Sequence, residues 1–222
     1  MAGYIGNYPT AVPLTSADLT DGIITSAKLA NDAVVTGKIA DGTIVNADIN
    51  TSAGILTSKL SGSLGITEAD QWRYNTSLTL SSNTFTFITS NWERNDTTFD
   101  KIGTGMTESS GVFAFPETGI YLVTYNVNII ANSKGDIRAA GGDIYLTTNN
   151  SSYSIIAEGF NGCNNHGLDY FNNVTISAMI DVTDTSTHKV KFDCFSSVGG
   201  AQLFGDTNYN RTTVTFIRLG TT

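Results

Sequence analysis

The chain has 222 residues, of which 40% are hydrophobic and only 14% are charged, and its formal net charge is −8. The apolar share is sufficient for a folded core, which excludes a wholly disordered chain. Twelve basic residues against twenty acidic ones leave no basic patch for phosphates, so we expect no nucleic-acid partner. We expect no membrane insertion, because no apolar run is long enough, and the first residues lack the pattern of a secretory signal.

Residues 11–50 form four copies of a ten-residue repeat. In each copy, large apolar residues occupy two columns five residues apart, and a residue typical of helix N-caps precedes a small residue. The N-cap candidates are Ser16, Ser26, Thr36 and Asn46. The two apolar columns are Leu14, Ile24, Val34 and Ile44, and Leu19, Leu29, Ile39 and Ile49.

An apolar spacing of five residues fits neither a continuous α-helix nor a continuous strand. It predicts a composite unit, with an extended piece at Ile23 and Ile24, a capped helical turn that opens at Ser26, and then a tight turn. Ten residues bury too little apolar surface to offset their own ordering entropy. We therefore expect an elongated stem in which identical chains run side by side and cover these columns. A disordered polar linker is the alternative.

The segment at residues 21–30, with the sequence DGIITSAKLA, resembles the decapeptide repeats of tail-fibre and related structural proteins of tailed bacteriophages. The opening residues 1–6 resemble the short N-terminal tags of such virion proteins. The resemblance implies that residues 1–12 attach the chain to other virion proteins of the tail or capsid, and that residues 13–66 form the stem of an external fibre. The attachment residues would be Tyr4, Ile5, Tyr8 and Pro9.

The repeat stops before about Gln71, and residues 62–70 are predicted to be a polar junction. Beyond it, short alternating runs separated by turn residues predict a β-sandwich or barrel. The predicted strands are 84–89, 119–130, 144–147, 174–180, 190–195 and 213–219. In the longest run, one face carries Tyr121, Val123, Tyr125, Val127 and Ile129.

The most specific sequence motif of this region is GVFAFPETGIYLVTY at residues 111–125. The spacing of its aromatic residues around Gly119 resembles the complement C1q globular-head family of the C1q/tumour-necrosis-factor superfamily. The resemblance implies that residues 67–222 form a mainly β, ten-stranded jelly-roll head that assembles as a homotrimer. Val123 stands where the family usually has an aromatic residue, and the repeat stands where a collagen-like stem would. The implied core or trimer residues are Phe113, Phe115, Gly119, Tyr121 and Tyr125.

We find no nucleotide-binding, GxSxG or HExxH motif, so we expect no catalytic residue and no cofactor. His166 and His188 follow polar turn residues, and we expect both to be solvated. The acidic residues show neither a spacing that pairs two carboxylates for glycan cleavage nor the spacing of a calcium-binding loop. We therefore expect neither glycosidase activity nor a metal site. The glycosidase candidates are Asp136, Asp143, Glu158, Asp169 and Asp206, and the calcium candidates are Asp100, Asp193 and Asp206.

The two cysteines, Cys163 and Cys194, do not form a disulfide framework. Small, partly buried apolar residues are the first interpretation, and a single bridge between two strands is the alternative.

Three long segments rich in Asn, Gly or Tyr, at residues 131–142, 159–170 and 198–211, are predicted to be recognition loops. Side-chain amides bind sugar hydroxyls and rings pack on sugar faces, so the predicted partner is a host-surface carbohydrate or outer-membrane receptor. The candidate residues are Asn161, Asn164, Asn165, His166, Asn208 and Tyr209. One alternative is a decoration protein of the virion whose head only trimerises. Another is a secreted bacterial C1q-like protein, which the missing signal sequence disfavours.

Overall fold

The computed structural model describes residues 15, 17, 21–55, 65–96, 98–131, 135–164, 167 and 169–222. The chain divides into two compact units, residues 1–60 and residues 61–222. In the part of the chain that is described, no helix has the length and apolar character needed to cross a membrane. The predicted residues that lie outside the described part are Tyr4, Ile5, Tyr8, Pro9, Leu14, Ser16, Leu19, Asn165 and His166.

The described repeats share one backbone conformation with a period of ten residues. Each contains a single 3-10 turn, and these turns span Ser26–Lys28, Thr36–Lys38 and Asn46–Asp48. A tight turn separates successive copies, and the residues in its left-handed conformation are Gly22, Asp32 and Gly42. The predicted helical turn and tight turn are therefore confirmed. The predicted cap at Ser26 is wrong, because Ser26 is the first residue of its turn, while Thr25 holds the N-cap position and makes no side-chain cap bond.

The apolar columns of the repeat are exposed in the single chain. Ile24, Val34 and Ile44 are 52%, 54% and 53% exposed, and each stands one repeat from the next. The second column has the same character, since Leu29 and Ile39 are 46% and 40% exposed. The unit thus folds locally without covering its large apolar side chains.

The second unit, called the head below, is built from antiparallel strands. The described residues contain fourteen strands rather than the expected ten, and four of them span only two residues. The strands are β1 (Ala69–Tyr74), β2 (Leu78–Thr79), β3 (Thr86–Phe87), β4 (Trp92–Arg94), β5 (Lys101–Ile102), β6 (Thr107–Ser109), β7 (Val112–Ala114), β8 (Gly119–Ile130), β9 (Ile137–Thr147), β10 (Ser154–Cys163), β11 (Phe171–Val182), β12 (Lys189–Ser196), β13 (Gln202–Leu203) and β14 (Thr213–Gly220).

These strands form two sheets. Sheet 1 has the order β2-β13-β8-β14-β1-β4, with β11 also beside β8 and β5 beside β1. Sheet 2 has the order β10-β9-β12-β7-β6, with β3 also beside β12. Along β8, buried residues alternate with partly exposed ones over all twelve positions, because one face of the strand meets sheet 2.

Aromatic rings fill the space between the sheets. Phe113 is fully buried, and its ring centroid lies 5.6 Å from that of Phe192 and 5.3 Å from that of Phe216. The ring of Phe115 packs against that of Tyr121 at 4.8 Å. The residues implied by the family resemblance are all buried inside a single head, and these are Phe113, Phe115, Gly119, Tyr121 and Tyr125.

All three predicted loops are partly strand, and in the third the strand is the two-residue β13. Residues 137–142 belong to β9 and residues 159–163 belong to β10, so the loop prediction is wrong there. The reason is close packing of neighbouring strands. A Cβ atom on Gly141 would lie 1.8 Å from the Gly159 carbonyl oxygen, and one on Gly142 would lie 2.3 Å from the Asp193 carbonyl oxygen. Glycine here permits close backbone approach rather than a turn.

The predicted polar junction also needs correction at its C-terminal end. Glu68 and Asp70 are buried, and β1 already begins at Ala69. The Glu68 carboxylate accepts the N–H groups of Thr104 and Gly105, at 2.8 and 2.9 Å. These charged side chains are therefore anchored by backbone donors of a turn instead of lying in a linker.

Both cysteines are free thiols, and His188 is buried. Cys163 and Cys194 are free thiols, which agrees with the first interpretation, and burial raises the pKa of Cys194 to about 12. His188 is only 7% exposed, so the expectation of a solvated ring is wrong. Its Nδ1 lies 3.0 Å from the Asp184 carbonyl oxygen, a contact that fixes the ring at the start of β12.

Candidate receptor-binding site

The register of the strands brings the three predicted recognition segments to one end of the head. Ile130, the last residue of β8, pairs with Phe171 of β11 and with Gln202 of β13, while Ile137 pairs with Cys163. The connections that follow these pairs therefore leave the sandwich at the same end, which lies opposite the start of β1. We call it the distal end.

The distal end holds an open cavity of about 340 Å³ on the outer face of sheet 2. The Ser197 hydroxyl oxygen accepts the N–H groups of Arg138 and Ala139, at 2.9 and 3.3 Å, and so fixes one wall. The cavity, called the distal pocket, is lined by Asn83, Asp136, Arg138, Ala139, Phe195, Ser197 and Val198. It therefore combines an amide, a carboxylate, a guanidinium and a ring.

Three phenylalanines continue the surface beside the distal pocket. The ring centroid of Phe195 lies 4.6 Å from that of Phe85 and 5.8 Å from that of Phe160. Phe85 is 52% exposed and Phe160 is 37% exposed. We call this group the phenyl platform. Exposed rings next to convergent polar groups are suited to a sugar, whose C–H faces pack on rings while its hydroxyls form hydrogen bonds.

The described recognition residues lie near two different sheets, and only Asn161 is itself a strand residue. Asn161 and Asn164 are exposed, and Asn161 lies within β10, directly after Phe160, rather than in a loop. Asn208 and Tyr209 follow β13, and their N–H groups donate to the Asp206 carboxylate at 2.8 and 3.2 Å. The structure therefore places these residues at the same end without bringing them into one site.

Tyr209 belongs to a stack on the sheet 1 side. The Arg211 guanidinium carbon lies 5.5 Å from the Tyr209 ring centroid and 4.2 Å from that of Phe204. The Phe204 ring in turn packs on that of Phe171 at 5.6 Å. The N–H groups of the turn, with Arg211, hold the pKa of Asp206 below its usual range. This stack fixes the exposed ring of Tyr209 at the surface.

Sequence reasoning missed the phenyl platform and Arg138. The signal was present in the alternation of residues 84–89, where Phe85 and Phe87 fall on one face of a short strand. Both rings are exposed, at 52% and 41%. The alternation predicts a strand at residues 84–89 but does not specify which face of a sheet its rings cover, and in the structure they cover the outside of sheet 2.

The acidic candidates for glycan cleavage lie in different environments, since Asp143 is buried, Glu158 and Asp169 are exposed, and Asp136 lines the distal pocket. Asp143 and Glu158 pair across β9 and β10, and the calcium candidate Asp193 is completely buried on β12. Burial, with the Asp143 charge, raises the pKa of Asp193 to about 7. Among the residues that are described, no group of three or more His, Cys, Asp or Glu side chains is arranged to hold a metal ion.

No protein-family model and no curated protein matches this chain. Among solved structures, the chain is similar to the Eiger TNF of S. frugiperda, with 12% identity, a TM-score of 0.50, and coverage of 69% of this chain and 93% of that one. Murine APRIL matches with 12% identity, a TM-score of 0.46, and coverage of 68% and 98%. The PRD1 vertex protein P5 matches with 17% identity, a TM-score of 0.40, and coverage of 70% and 99%.

At these identities, the similarity describes the fold and not the activity. The Eiger match spans most of that chain, and the two-sheet arrangement of the head accounts for it. The head is a mainly β sandwich with a TNF-like jelly-roll fold.

Proposed function

We propose that this chain is one subunit of a trimeric phage fibre on the outside of the virion. Residues 1–12 attach it to other virion proteins, residues 13–66 form the stem, and the head of residues 67–222 recognises a carbohydrate receptor on the host surface. The observation that carries the proposal is the exposure of the apolar columns in the repeat.

That exposure supports the proposed stem. Ile24, Val34 and Ile44 are each more than half exposed, and their regular period aligns them along one chain. Large apolar side chains in such a register gain free energy when a second and third copy cover them, at roughly 25 cal/mol per Å² of apolar surface. A closed homo-oligomer supplies identical partners for every repeat at once.

The outer face of sheet 1 supports the same assembly. Met179, Leu122 and Ile217 stand side by side on β11, β8 and β14. Met179 is 67% exposed, and Leu219 on the same strand as Ile217 is 54% exposed. An apolar row on an open sheet face is suited to burial against neighbouring heads. We assign this face to contacts between the three heads.

Receptor recognition rests on the distal pocket and the phenyl platform. They lie on the outer face of sheet 2, so contacts between heads through sheet 1 leave them open. Arg138 and Asp136 offer donors and acceptors, and Phe85 offers an exposed ring face. Three heads on one stem multiply a weak single-site affinity through avidity.

The experiment measures binding of the full-length protein to immobilised bacterial lipopolysaccharides and capsular polysaccharides. We expect the wild type to bind at least one of them and Phe85→Ala to lose that binding at an unchanged melting temperature. Phe99→Ala is the matched control, because Phe99 is a 41% exposed phenylalanine outside the platform.

Two results would count against receptor recognition. The first is a trimer that binds none of these surfaces at high density, which would favour the decoration protein with a purely trimerising head. The second is Phe85→Ala binding as strongly as the wild type, which would move recognition away from the phenyl platform.

A further inference from the structure

A second cavity opens on the outer face of sheet 2, at the opposite end of β12 from the distal pocket. Its volume is about 430 Å³, and we call it the proximal pocket. Lys189 lines this cavity whereas Phe195 lines the distal one. The two residues are six positions apart along extended strand, which is roughly 20 Å. The proximal pocket is lined by Thr107, Ser109, Val112, Ala114, Asn150, Tyr153 and Lys189.

The charge of the proximal pocket differs from that of the chain as a whole. None of its lining residues is acidic, although the formal net charge of the chain is −8. Glu108, which lies between two lining residues of β6, has its carboxylate bound to the Gly111 N–H at 2.7 Å. The Lys189 ammonium donates to the Asn150 side-chain oxygen. A positively charged pocket in an acidic protein is complementary to an anionic ligand.

A cage of aromatic rings holds a second positive charge next to this pocket. The Lys191 ammonium lies 3.9 Å from the Phe87 ring centroid, 4.3 Å from that of Tyr153 and 5.6 Å from that of Tyr145. Tyr153 therefore belongs both to the cage and to the pocket wall. The cation–π contacts fix its ring where a ligand can pack on it.

We infer that the proximal pocket binds a carboxylate-bearing sugar residue, such as a uronate within an acidic polysaccharide. The Lys189 ammonium pairs with the sugar carboxylate, and the hydroxyl groups of Thr107 and Ser109 bond the ring hydroxyls. The Tyr153 ring packs on the C–H face of the sugar. The volume lies within the range of small-ligand sites. This site is separate from the distal pocket and needs neither a virion nor a trimer.

Calorimetric titration of the full-length protein with tri-galacturonate tests this inference, with maltotriose as the neutral trisaccharide. We expect measurable binding of tri-galacturonate alone, and weaker binding as the salt concentration rises. Lys189→Gln should weaken that binding about tenfold or more, whereas Lys189→Arg should retain most of it.

Lys101→Gln is the control, because it removes the same charge from an exposed residue of β5 outside the pocket. Melting curves verify that each variant is folded. Equal binding of the neutral and acidic trisaccharides overturns the inference, as does Lys189→Gln binding like the wild type or an absence of tri-galacturonate binding. None of these results bears on the distal pocket, which the Phe85 variant tests separately.

Discussion

The Tyr145 hydroxyl donates a hydrogen bond to the Asp193 carboxylate, with 3.0 Å between the two oxygens. The other carboxylate oxygen of Asp193 accepts the Asp143 N–H at 2.9 Å. Asp193 is fully buried, and one oxygen of the nearby Asp143 carboxylate has no hydrogen-bond partner among the described residues. A buried acidic pair therefore lies within sheet 2, directly under the aromatic surface.

This pair predicts that the head loses stability as the pH rises. Burial and the Asp143 charge raise the pKa of Asp193 to about 7, whereas an unfolded Asp ionises near pH 4. The folded state therefore binds the proton more tightly, and the stabilisation is present below pH 4 and is lost as the pH rises to 7. The unfolding free energy of the wild type should fall between pH 5 and pH 8. In Asp193→Asn this fall should be smaller by on the order of 2 kcal/mol.

Denaturant unfolding at the two pH values measures this difference. Asp206→Asn is the control, because the pKa of Asp206 is lowered and its carboxyl titrates below this range. The raised pKa of Asp193 would be contradicted if the wild type and Asp193→Asn each had the same unfolding free energy at pH 8 as at pH 5.

Truncation of Tyr121 should destabilise the head. The side chain is 1% exposed, its ring packs on Phe115, and its hydroxyl donates to the Glu117 carbonyl at 3.1 Å. Tyr121→Ala should therefore cost about 3 kcal/mol of unfolding free energy. Tyr209→Ala is the matched control at a 65% exposed tyrosine and should leave the melting temperature nearly unchanged. Equal melting temperatures for the two variants would place Tyr121 outside the core.

Close packing at Gly142 should not tolerate a methyl group. A Cβ atom there would lie 2.3 Å from the Asp193 carbonyl oxygen and 3.1 Å from the Tyr125 ring. Gly142→Ala should destabilise the head by about 2 kcal/mol or more, because strands or rings must move apart. Gly220→Ala is the control, since no atom of the part of the chain that is described lies within 4 Å of the added methyl. Chemical denaturation of both variants measures the difference, and equal midpoints would refute the close approach.

Removing the apolar columns should weaken the trimer. We expect the full-length protein to sediment as three chains, and the triple replacement of Ile24, Val34 and Ile44 by Ser to dissociate at higher protein concentration. Replacement of Ala30 and Ala40 by Ser, outside the columns, is the control. Sedimentation velocity over a dilution series measures both. A wild-type monomer, or a triple variant that dissociates like the wild type, would argue against the stem.

Short-range patterns predicted the elements whose structure is set locally. The alternation of residues 119–130 predicted β8 with its observed bounds, because a strand with one buried face has a period of two. The ten-residue period predicted the repeated 3-10 turns, because turn-forming residues fix the backbone within each copy.

Long-range contacts decided what the sequence analysis missed. Gly141 and Gly142 suggested a loop, but pairing with β10 and β12, far along the chain, makes them strand residues. Phe85, Phe160 and Phe195 are separated by more than thirty residues in sequence, and only the arrangement of sheet 2 brings their rings together.

The amino-acid sequence by itself therefore determined the repeat, the long alternating strand and the aromatic residues of the core, since these depend on spacing along the chain. Only the tertiary structure decided which aromatic rings face outward, which carboxylates are buried and where the two pockets open. Those properties depend on the register between strands, and a local pattern cannot specify which distant segment will pair with it.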